Sequence, residues 1–132
     1  MKTLAMTIAA IVAGDLSGIP VVQATNHLDL LDAAARLPQL TVSRHALAKV
    51  LSAWRSGHCT ADDVQQWASF VRRGYVAGGC GGRGAHAIDI EYDALDEDLI
   101  VEIIGRLDEI GDIIDGEVDD NEREAMLRSL EA

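Results

Sequence analysis

The chain has 132 residues, a formal net charge of −11, and 48% apolar against 25% charged positions. That balance excludes a disordered polymer, and the length suits one domain with a core of its own. An acidic sum of this size disfavours direct contact with nucleic acid or an anionic membrane and favours encounter with basic proteins.

The charge is unevenly placed. Residues 1–87 carry 8 Lys+Arg against 5 Asp+Glu, a balance of +3, whereas residues 88–132 carry 3 against 17, a balance of −14. Two prolines, scarce aromatics and abundant alanine and leucine favour helix over strand. The expected fold is all-α: a compact bundle of about five or six helices, one domain over residues 1–132, with a Gly-rich connector ahead of a long acidic helix.

In chain order, Leu4, Ile8, Ile11 and Val12 share a face and predict a first helix over 3–13. The opening "MKTLAMTIAAIVAG" imitates an export signal, but Asp15 closes the apolar run early and a single basic residue precedes it. A cytoplasmic protein is expected, with Cys59 and Cys80 as free thiols. The run is also too short to span a bilayer. "GDLSGIP" breaks the helix, and Asn26 is placed to cap a second one through "HLDLLDAAARL", with Leu28, Leu31 and Ala35 inward and Pro38 preventing continuation. Thr41 or Ser43 can cap a third, burying Leu47, Val50 and Trp54 and stopped by Gly57 at positive φ. The fourth begins at Thr60, with Asp63 three residues on as a variant capping box. Val64, Trp67, Ala68, Val71 and Tyr75 follow at helical spacing, which makes Trp67 a core residue.

Six glycines between 74 and 84 forbid helix there, so residues 74–88 are expected to be a flexible connector. Arg83 among them suggests a phosphate cradle, but no Lys-Ser/Thr pair follows and no hydrophobic strand precedes. "AIDIEY" alternates like a strand without a partner in the sequence, and extended coil or a minor strand is expected. A long helix is predicted over 94–115. Leu99, Ile100, Ile103, Leu107, Ile110 and Ile114 form its buried stripe, and Glu97, Asp108, Asp112, Asp115 and Asp119 an acid ridge beside it. Gly105 and Gly111 interrupt it at about 1 kcal/mol each relative to alanine, which close packing or close approach of a partner would explain. Met126, Leu127 and Leu130 mark a final helix near 120–131.

The acids do not read as a metal loop. With Asp115, Glu117 and Asp119 as first ligands, Asp120 falls where a calcium loop turns on glycine and Met126 where it needs a bidentate Glu. His58, Cys59, Cys80 and His86 lack the spacing of zinc ligand pairs. Asp108 and Asp112 share a flank, but no His, Cys or Lys accompanies them as a catalytic partner. The expectation is therefore a protein without metal, cofactor or catalytic residues.

Two blocks carry a family likeness: "LSAWRSGHCTADDVQQWASFVRRGY" (51–75) and "DEDLIVEIIGRLDEIGDIIDGEVDDNE" (96–122). Together they resemble small acidic helical immunity proteins that neutralise bacterial toxins, of the colicin-D-like and contact-dependent growth inhibition group. The likeness covers about half the chain. It implies a helical bundle that blocks a cationic, tRNA-cleaving toxin domain with an acidic face and no turnover. Asp108, Asp112 and Asp115, with Glu97, Glu109 and Asp119 around them, would then pair with the toxin's basic side chains, and Tyr92 would add apolar contact. The competing expectation is a helical interaction or regulatory module whose partner is not a toxin.

Overall fold

The computed structural model describes residues 3–74, 87–111 and 117–131. Helix α1 spans Leu4–Val12, capped by the Thr3 hydroxyl, which accepts from the Met6 N–H. Its Ile8, Ile11 and Val12 are buried as the spacing requires. "GDLSGIP" does not merely break the helix. Asp15 caps a 3-10 turn at Leu16–Gly18, and Pro20 opens a short helix, α2, at Ile19–Gln23, where the missing proline N–H costs nothing.

Asn26 caps α3, His27–Ala34, through a bond from the Leu28 N–H. The face differs in part from expectation: Leu31 packs on the core as expected, but His27, Leu30 and Ala33 are buried, Leu28 is 61% exposed and Ala35 is exposed. In so short a helix several apolar phases coexist, and docking against α1 selected this one. Ser43 caps α4, Arg44–Arg55, and Gly57 takes φ +80° just beyond its end. The capping box of α5, Ala61–Arg73, is complete: the Asp63 N–H donates to Thr60 Oγ1 at 3.2 Å and the Thr60 N–H to Asp63 Oδ2 at 2.9 Å. Trp67 is fully buried, its indole N–H donating to the Ile11 carbonyl at 2.7 Å, which locks α5 to α1.

The chain is not all-α. Leu40–Val42 (β1) pairs in parallel with Ile90–Tyr92 (β2), in the register Leu40↔Ile90, Thr41↔Glu91, Val42↔Tyr92. The strand-like "AIDIEY" thus has a partner, supplied from fifty residues earlier by "LTV", whose β-branched residues suit an extended backbone.

Helix α6 covers Glu97–Asp108, shorter than the 94–115 expected, and α7 covers Asp120–Glu131. The first ends at Asp108, and Gly111 just beyond adopts φ +93°, a left-handed conformation from which the helix does not resume. Ile114, Asp112 and Asp115 lie outside the described residues, as does most of the Gly-rich segment with Arg83, Cys80 and His86. Ile100, Ile103, Ile104 and Leu107 bury α6 against α5, and Met126, Leu127 and Leu130 bury α7, whose main neighbour is α4. Among the described residues, buried side chains of every helix join one hydrophobic core. Among the described residues, no helix is long and apolar enough to cross a membrane.

Candidate protein-interaction face

The acid ridge separates into an inward and an outward part. Asp108, expected on the outer ridge, is turned inward: its side chain is only 2% exposed. Oδ2 accepts from Arg72 Nη1 at 2.9 Å and from Arg73 Nη2 at 3.1 Å, and Gln65 Nε2 donates to both Oδ1 and the main-chain carbonyl at 3.2 Å. The physical reason is the set of donors that α5 brings to it. A carboxylate in the last turn of α6 sits at a negative end, and the two guanidinium groups in the last turn of α5 offset both charges while binding the two helices together. Asp108 is therefore taken up within the fold and is not free for a partner.

Tyr92, expected as an apolar contact, is half-buried in β2 and packs on the core. Burial pushes its phenol above the ordinary range, with Asp108 reinforcing the shift and Arg72 opposing it. Asp119 is exposed but accepts from the Glu122 N–H at 2.8 Å, ordering the start of α7. Glu109 is exposed and meets Arg106 Nη1 at 3.3 Å. Of the expected contact residues, Glu97 and Asp119 are exposed and without an ion pair among the described residues, and of these two only Glu97 is not used as a cap.

Glu97 belongs to a face that the ridge reading only partly captured. Asp98, Val101 and Glu102 lie on the same exposed side of α6, and Asp98 and Glu102 also form no ion pair among the described residues. Val101 is 49% exposed among these carboxylates. Leu95, 93% exposed, stands just before the helix in a turn set by Asp93, whose Oδ1 accepts from the Leu95 N–H at 3.1 Å. Asp96 fixes the start of the helix by pairing with Arg44 of α4 at 3.5 Å. At about 100° per residue, Gly105 falls in the middle of the exposed arc. A Cβ built there would meet nothing within 4 Å, so internal packing does not explain this glycine. The signal for Val101 was in the sequence, since it falls off the buried isoleucine stripe; Leu95 carried none, because its exposure depends on the turn.

The nucleophile and metal alternatives have less to stand on. Cys59 is half-buried beside exposed His58, and burial, then the Asp63 carboxylate, push its thiol up. The neutral thiol is thereby favoured, the opposite of what nucleophilic attack or metal ligation needs. Among the described residues no three His, Cys, Asp or Glu side chains converge on a common point.

In comparison with known proteins, no family model, no curated protein and no solved structure matches the chain.

Proposed function

We propose that this protein binds and blocks a basic protein, a tRNase-type nuclease toxin domain, through the outward face of α6, as an immunity or antitoxin protein that performs no chemistry itself. The observation that carries this reading is the arrangement on α6. Three carboxylates without ion pairs among the described residues, Glu97, Asp98 and Glu102, surround exposed Val101 on a helix anchored by its buried stripe and by Asp96. A cleft that binds RNA phosphates presents lysine and arginine, and rigid carboxylates complement it. Val101 and Leu95 supply apolar contact, and Gly105 lets the partner approach the helix backbone closely. The resemblance of residues 51–75 and 96–122 to acidic immunity proteins points the same way.

The reading is tested by titrating the protein against basic tRNase toxin domains and following tRNA cleavage at low and high salt. Stoichiometric inhibition that weakens with salt is expected. The Glu97→Lys, Asp98→Lys, Glu102→Lys triple variant should lose at least about tenfold in affinity, mainly through slower association. Equal inhibition by this variant would remove α6 from the interface. Tight, salt-dependent binding of a basic partner without loss of cleavage would instead support a regulatory interaction module on the same face.

A further inference from the structure

Beside the outward face of α6, the helices α6 and α7 leave a groove of about 450 Å³ between them. Leu99 and Ile103 form one wall and Met126 the other, while Ala125 and Ser129, both exposed and small, keep it open. Its rim is acidic: Glu102, Glu109 and Glu122 stand around it against one guanidinium, that of Arg106. Arg106 is already engaged, with Nε donating to Glu122 Oε2 at 2.7 Å, Nη2 to Glu122 Oε1 at 3.1 Å and to the Glu117 carbonyl at 2.7 Å, and Nη1 to Glu109 at 3.3 Å. These bonds, the Glu122 pair foremost, hold the guanidinium charged and in place, so the groove keeps a net negative rim over an apolar floor.

We infer that this groove seats an amphipathic, lysine- or arginine-rich helix of the partner, its aliphatic side chains on Leu99, Ile103 and Met126 and its basic flanks against Glu102 and Glu109. The inference rests on the basic-partner reading of α6 and names the shape of what binds there. The charge calls for a cationic occupant, and the walls call for a helix. Among the described residues side chains line the groove and no free strand edge does, so an incoming segment must satisfy its own backbone hydrogen bonds. Methionine and small residues suit such a seat, because the thioether adapts to the incoming side chain and alanine and serine leave room for it.

The test uses a synthetic peptide of about four helical turns, with leucines at i, i+3, i+4 and i+7 and lysines on its flanks, and a control peptide in which serines replace the leucines. Binding is measured by calorimetry and mapped by amide shifts in the full chain. The leucine peptide should bind and shift Ile103, Ala125, Met126 and Ser129. Ala125→Trp, which fills the groove from an exposed position, and the serine peptide should each weaken binding at least about tenfold. Ser129→Trp serves as a second plug if Ala125→Trp fails to fold by circular dichroism. Absence of leucine-peptide binding, or binding indifferent to plug and serine alike, overturns the groove. If charge reversal at Glu97, Asp98 and Glu102 still releases a basic partner while the plug leaves it bound, the groove falls and the acidic face stands. If neither change matters, both fall.

Discussion

Asp108 gains most of its role from where its neighbours bring their donors. Replacing it by alanine removes hydrogen bonds from Gln65, Arg72 and Arg73 at once. The arginine side chains are 49% and 63% exposed and can rehydrate, so the loss falls below that of a fully buried ion pair. A destabilisation of about 1–3 kcal/mol is expected in urea unfolding; an unchanged midpoint would show that the cluster is ornamental. Tyr92 gives a pH signature. Its folded phenol is held above its ordinary value chiefly by burial, so the unfolded chain releases the proton first. The stabilisation is complete below the unfolded value of about 10 and is lost as pH climbs through the folded one. The difference in urea midpoint between parent and Tyr92→Phe should therefore be flat at neutral pH and change in alkali, with the parent losing more; parallel curves would refute it.

The two glycines of the α6 region make opposite predictions because they do different things. Gly105 is inside the helix with open space around its missing Cβ, so Gly105→Ala should stabilise the fold by about 0.5–1 kcal/mol while weakening a partner that approaches the helix closely. Gly111 has φ +93°, and alanine there should cost about 1–2 kcal/mol despite equally open space. Thermal melts of the two variants decide it; a destabilising Gly105→Ala would mean that the glycine serves the fold and not a contact. Sequence periodicity alone merged these positions into one interrupted helix, since a glycine's dihedral angle is not written in its spacing.

At the scale of the molecule, the acidic final third folds against a mildly basic remainder, and several of its acids are consumed internally: Asp96 by Arg44, Asp108 by Arg72 and Arg73, and Glu124 by Arg55. Those that remain repel one another. Raising ionic strength from about 0.01 to about 0.15 M shortens the screening length from about 30 to about 8 Å, which should raise the melting temperature by a few degrees. A fall would mean that the cross-helix ion pairs outweigh the repulsion of the outer carboxylates. The same screening should weaken a basic partner, so stability and affinity are expected to move in opposite directions with salt.

What the sequence determined by itself is what operates within about one helical turn: the caps at Asn26 and Thr60, the start of α4 at Thr41 or Ser43, the stop at Gly57, the burial stripes of α1 and α5 and the Ile100, Ile103 and Leu107 part of that of α6, and the charge asymmetry between the two parts of the chain. Each depends on residues no more than a few positions apart, so spacing alone carries it. Only the tertiary structure decided that "LTV" and "IEY" pair across fifty residues, that α3 turns Leu30 and not Leu28 inward, that Asp108 faces Arg72 and Arg73, and that Leu95 is left outside. Strand pairing and burial of a charge each need a partner distant in sequence, and which partner arrives is set by packing of the whole core, which no local pattern encodes.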